Sequence, residues 1–210
     1  MRLVTIGDSI TKGTFTDEGQ TAPLSVASPN FAEGLKEKLG FDELINYGVN
    51  GVSISTATTV CPEQAIVKTV KAMEGGDIIV LAAGTNDYGT DVPLGKIEDR
   101  TEYTFYGALY LLYDFLKREH AKAKVFIVKP IRRKRNNANN AGYTLEDYRK
   151  AIERRAREFG FAVIDGYAVP IYPETEEGRK KHIPDGLHPN LLGHALYAET
   201  LYQEIKKHVE

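Results

Sequence analysis

Apolar residues along this chain fall into short unbroken runs separated by longer stretches in which they recur every three or four positions. The runs lie near residues 2–6, 42–46, 77–83, 124–129 and 161–164. They are too short for helices and carry no regular polar face, which predicts strands covered on both sides. Helical spacing near 30–39, 62–74, 101–119, 144–159 and 190–208 predicts the intervening helices. Ser28-Pro29-Asn30 opens the first of these, and Thr144 with Asp147 three residues on gives the fourth a capping-box-like start. Gly40 and Gly160 close two of them. Strand and helix alternate throughout, so the expected fold is α/β, three layers α/β/α around a central five-stranded parallel sheet. No internal repeat and no Pro-, Gly- or Ser-rich linker divides the chain, which is read as one domain over 1–210.

Chemistry-bearing residues gather where the predicted strands end. Ser9 follows the first run in the string GDSI, with Gly7 allowing a tight turn at the strand's carboxyl end, where crevices open in α/β sheets. Far along the chain, DGLHPN places Asp185 three residues before His188. A hydroxyl needs a base within hydrogen-bond reach and a carboxylate to orient that base, and these two segments supply all three groups. Pro189 biases His188 away from helical dihedrals while itself suiting a first helical turn, and Gly186 permits the bend that folds Asp185 back onto the imidazole. Acyl transfer also needs donors for the developing oxyanion. Asn86 in GTND offers a side-chain amide, and Gly48 in NYGVNG offers an N–H with no Cβ in the way. These four segments are expected at four successive strand ends. Asp8, Asn50, Tyr88 and Leu187, each within two positions of one of these groups, are the expected substrate-binding residues.

In this order, the blocks GDSI, NYGVNG, GTND and DGLHP resemble those of an SGNH hydrolase of the GDSL esterase/lipase superfamily. The resemblance spans nearly the whole chain. It implies a flavodoxin-like hydrolase fold, Ser9 as nucleophile and oxyanion donor, Gly48 and Asn86 as the other donors, His188 as base and Asp185 as its partner. Ile10 stands where the family's nickname has Leu, a volume-conserving exchange. The implied activity is hydrolysis of small or short-acyl carboxylic esters through an acyl-enzyme, with no metal or organic cofactor. The same superfamily includes carbohydrate O-acetylesterases, lysophospholipases and thioesterases, and a catalytically silent binding module is the non-enzymatic alternative.

Composition narrows the partners. Lys and Arg number 27 against 29 Asp and Glu, a net charge of -2 that favours neither nucleic acid nor membrane, so a small-molecule ester is the expected partner. No apolar stretch reaches the length of a membrane span, and the strand starting at Leu3 leaves no room for a signal peptide, so a cytoplasmic location is expected. The single cysteine, Cys61, precedes Pro62 at a helix start and reads as structural. His182 and His194 each lie six residues from His188, but that spacing fits no zinc pattern. Neither G-x-S-x-G nor a phosphate-cradling GK[ST] loop occurs, which argues against an ordinary α/β-hydrolase and a nucleotide-binding protein.

Three connections bear on substrate. Residues 10–29, including Lys12, Thr14 and Phe15, leave from the nucleophile and are expected either to wall the pocket or to be a solvated loop. The segment 130–143 carries four consecutive cations, Arg132 to Arg135, which suit an anionic substrate or simply hydration. The segment from Tyr167 to His182 reads as irregular, its Tyr167 and Tyr172 suited either to stack on a ring or to pack among prolines.

Overall fold

A computed structural model describes residues 1–15 and 25–209. In chain order, β1 (Arg2–Gly7) turns into α1 (Ser9–Lys12), and β2 (Thr14–Phe15) pairs antiparallel with β3 (Ser25–Val26). Next come α2 (Phe31–Leu39), β4 (Glu43–Gly48), α3 (Ile66–Thr69), β5 (Ile78–Ala82), α4 (Thr85–Gly89) and α5 (Phe105–Glu119). The chain finishes with β6 (Lys124–Val128), α6 (Leu145–Phe159), β7 (Ala162–Ile164), α7 (Glu176–His182) and α8 (Leu191–Lys206).

The five long strands form one parallel sheet in the order β4-β1-β5-β6-β7. Alternate residues of each strand enter opposite cores, as the two-residue period of a strand requires. Val4, Ile6, Ile79, Leu81, Val125 and Ile127 pack with α3, α5 and α6, while Leu3, Ile78, Val80, Phe126 and Val128 pack with α2 and α8. Burial on both faces is why the inner strands β1, β5 and β6 read as nearly continuous apolar runs, while the edge strand β4 is only half-buried. Since β1 sits between β4 and β5, the winding direction changes beside it, and a crevice opens outside the carboxyl ends there. The register puts Gly7 level with both Gly48 and Ala82, so three connections start at the same height. Gly7 has to be glycine: a Cβ would collide with Ala82 O and the Thr11 hydroxyl.

Several expected elements are altered, each for a local reason. The helix expected over 62–74 is instead α3 between two 3-10 turns, Pro62–Gln64 and Val70–Ala72. Its opening amides are drawn sideways, Ile66 N–H to Ser53 O and Val67 N–H to Ile54 O, so they are not available for helix hydrogen bonds. The helix expected from 101 starts at Phe105, where the Thr104 hydroxyl accepts from Gly107 N–H. Helix α8 is capped by the Asn190 side chain rather than opened by Pro189. The supposedly irregular 167–182 segment contains α7, capped by Thr175. Within 10–29, residues 16–24 lie outside the described part, while Thr14 and Phe15 are buried in the small β2–β3 pair. Cys61 is exposed and has a left-handed φ of 45° ahead of Pro62.

Candidate active site

Ser9 begins α1 and is almost buried, with 6% of its surface exposed. The Asp8 carboxylate caps this short helix by accepting the Ile10 N–H at 2.9 Å, which holds the turn that presents the Ser9 hydroxyl. Burial outweighs that bond and pushes the Asp8 carboxyl up to about 6. Although 179 residues away in sequence, His188 has its Nε2 2.9 Å from Ser9 Oγ. Its Nδ1 lies 2.6 Å from Asp185 Oδ2. An ionised carboxylate can only accept, so Nδ1 carries the hydrogen and Nε2 turns its lone pair to the hydroxyl.

A tight loop fixes this geometry. Asp185 Oδ1 also accepts the N–H groups of Leu187 and His188 at 2.8 and 2.7 Å, and Gly186 turns the backbone at φ 78°. Burial would raise the Asp185 carboxyl, but the hydrogen bonds from His188 and Leu187 win and hold it below the usual carboxylate range. This loop follows α7 rather than a strand, which corrects the expectation of four successive strand ends; only β1, β4 and β5 contribute strand ends.

Asn86, on α4 just past β5, donates its amide to Val52 O at 2.8 Å, which locks the side chain and leaves its second amide hydrogen without a partner among the described residues. The expected donor Gly48 is corrected by its surroundings. Its N–H is taken by Asn46 Oδ1 at 2.9 Å, and a Cβ there would run into the backbone of Thr11 and Lys12. Gly48 is therefore a packing glycine that seats α1 on β4. Three residues on, Gly51 adopts φ 73°, and its N–H finds no partner among the described residues. Asp87 anchors this second loop: fully buried, it accepts Ile54 N–H and Ser55 N–H, each at 2.9 Å. Desolvation still pushes its carboxyl up to about 7. Gly51 is absent from the donors expected on sequence grounds, yet Asn50-Gly51 is a dipeptide that favours left-handed backbone, which turns an N–H away from regular pairing.

The remaining expected contacts divide. Leu187 borders a cleft beside the triad with Asp185 and Arg133. Asn50 is exposed and accepts from the Thr14 hydroxyl at 2.8 Å. Asp8 is buried as a helix cap, and Tyr88 is fully buried, its ring edge-on to Tyr148 and its hydroxyl donating to Asn137 O at 2.7 Å. Tyr88 is thus a core residue, and its expected substrate contact is withdrawn. Tyr167 and Tyr172 carry Arg132 over their rings, which accounts for both without a ligand. His194 is buried in α8, where its Nδ1 accepts from Phe31 N–H, and burial drops it to about 4. No trio of His, Cys, Asp or Glu among the described residues is arranged to hold a metal ion.

Residues 5–196 match the model of the GDSL-like lipase/acylhydrolase family. The chain belongs to that family. Its three-layer sheet is accordingly the fold of this hydrolase family, as its topology indicates. A search of curated proteins returned no match. Among solved structures, a Lactobacillus plantarum protein superposes with a TM-score of 0.84 at 25% identity, covering 99% of this chain and 97% of its own. The native aryl esterase of M. smegmatis gives 0.73 at 16% identity, with 98% of each chain covered. A member of the lipolytic G-D-S-L family from Veillonella parvula gives 0.63 at 20% identity, with 99% of each covered. Among the described residues, no helix of this family member is long and apolar enough to cross a membrane.

Proposed function

We propose that this hydrolase is a serine esterase acting on small or short-acyl carboxylic esters through an acyl-enzyme. The observation that carries the reading is the continuous line from Ser9 Oγ to His188 Nε2 at 2.9 Å and from His188 Nδ1 to Asp185 Oδ2 at 2.6 Å. In this reading His188 takes the Ser9 proton as Oγ attacks the carbonyl carbon, and Asp185 steadies the imidazolium that forms. The carbonyl oxygen gains negative charge and is held by the N–H groups of Ser9 and Gly51 and the free amide hydrogen of Asn86. His188 then gives the proton to the leaving alcohol. A water molecule, activated by the same imidazole, releases the acid and restores Ser9.

The test is turnover of 4-nitrophenyl acetate. Ser9→Ala and His188→Ala should each lower kcat by about 10³-fold or more with an unchanged melting temperature. Near-normal turnover in either variant refutes the assignment.

A further inference from the structure

The segment after β6 carries four cations in a row, Arg132 to Arg135, and the fold gives them different work. Arg132 is committed to structure, donating to Tyr167 O at 2.5 Å beneath two tyrosine rings. Arg133, Lys134 and Arg135 instead line a cleft of about 480 Å³ whose other wall is the turn Asp185–Leu187. Two contacts fasten that cleft to the triad loop. The Lys134 N–H donates to Gly186 O at 2.7 Å, and a Cβ on Gly186 would strike the Lys134 side chain. Arg133 is anchored by Nη1, which donates to Thr85 O and Oγ1 at 3.0 Å each, while its Nε is buried without a partner. Lys134 and Arg135 are exposed, and none of the three cations has an ion-pair partner among the described residues.

Against these three positive charges the cleft sets one carboxylate, Asp185, whose oxygens are already engaged by His188 and Leu187. A cleft of one dominant sign focuses its field and concentrates ligands of the other sign. The chemistry fixes which part of the substrate lies there. When the ester C–O bond breaks, the proton taken from Ser9 passes from His188 Nε2 to the departing oxygen, so that oxygen sits against His188. Residues 185–187, on the loop that carries His188, form the cleft wall, so the cleft lies beside the base that an alcohol would leave from.

We propose that this cleft is the leaving-group subsite and selects alcohols that bear an anion, a carboxylate or a phosphate monoester. The inference rests on the esterase reading above.

The experiment compares acetate release by the full chain from three aryl acetates: 4-acetoxybenzoate, 4-acetoxyphenyl phosphate and the neutral methyl 4-acetoxybenzoate. The charged acetates should show kcat/KM about tenfold or more above the neutral one at low salt, mainly through KM, with the advantage shrinking as salt screens the cleft. The larger advantage identifies the anion as carboxylate or phosphate. Lys134→Glu with Arg135→Glu should erase that advantage. The charge-matched pair Lys71→Glu with Lys122→Glu, exposed at the amino-terminal end of the sheet, should keep it. Equal kcat/KM for charged and neutral acetates, or the same loss in both double variants, overturns the subsite while leaving the esterase standing. Absence of hydrolysis of all three acetates overturns the esterase reading itself.

Discussion

Replacing Asp185 by Asn separates orientation from folding more cleanly than any other change in this site. The carboxylate makes three bonds: Oδ1 accepts the Leu187 and His188 amides at 2.8 and 2.7 Å, and Oδ2 accepts from His188 Nδ1 at 2.6 Å. In Asp185→Asn the amide oxygen can keep both backbone bonds, so the 185–188 turn should hold its shape. The amide nitrogen then faces Nδ1, and a donor facing a donor forces the imidazole into its other tautomer. Nε2 would carry a hydrogen toward Ser9 Oγ, leaving the hydroxyl without a base. In Ser-His-Asp proteases the same exchange costs about 10⁴ in kcat, a barrier increase of about 5.5 kcal/mol. Because both backbone bonds to the Leu187 and His188 amides are kept, stability should change by only about 1 kcal/mol. The assay is kcat/KM on 4-nitrophenyl acetate alongside a thermal melt. A loss smaller than about tenfold with an intact melt would refute the role given to Asp185.

Other expectations follow from the same geometry. Asn86→Ala removes the amide aimed past Val52 O and should lower kcat by about 10²- to 10³-fold while KM changes little, measured by steady-state kinetics. A KM effect alone would place Asn86 in ground-state binding instead. Asp87 should shape stability against pH. Because burial raises its carboxyl from 3.8 to about 7, the folded chain binds that proton more tightly than the unfolded chain. Its contribution is therefore complete below about pH 4 and is lost as pH rises through about 7. Urea midpoints of wild type minus those of Asp87→Asn should fall over that window, and a flat difference contradicts the buried-carboxylate account. His194 acts with the opposite sign, since burial lowers it from 6.5 to about 4 and the unfolded chain takes up the proton first. Stability should drop as pH falls through that window, and His194→Gln should flatten the drop in the same urea series.

The sheet was legible because parallel strands covered on both faces are largely apolar, as Ile78 to Ala82 are throughout and Leu3 to Ile6 are except for the buried Thr5. Helices were legible where their bonds stay internal, as in α6, whose Asp147 reaches back to Thr144 N–H at 2.8 Å. The 62–74 stretch has the same apolar spacing, but Ser53 O and Ile54 O compete for its amides, and that competition has no local signature. Helix α7 did leave one: Thr175 as cap, Glu176 and Glu177 in the first turn, Lys180, Lys181 and His182 in the last. Flanking prolines concealed a charge order that the helix dipole favours.

The same distinction separates the parts of the active site. The meeting of Ser9, Asp185 and His188 was readable because each proposed role needs only a residue type and a short spacing: GDS past a strand, D-x-x-H before a helix. The oxyanion donors depend on which N–H groups the rest of the fold leaves unused. Gly48 and Gly51 are equally permissive as residues and stand three apart, yet Asn46 occupies the first N–H and nothing among the described residues occupies the second. Asn46 is itself held by donating its amide to Thr11 O at 2.8 Å, so α1, which presents the proposed nucleophile, also decides which glycine remains available. The proposed donor is thus selected by α1, β4 and the turn that follows β4 acting together. Only a change that releases Gly48, such as Asn46→Ala, would make the two glycines chemically comparable.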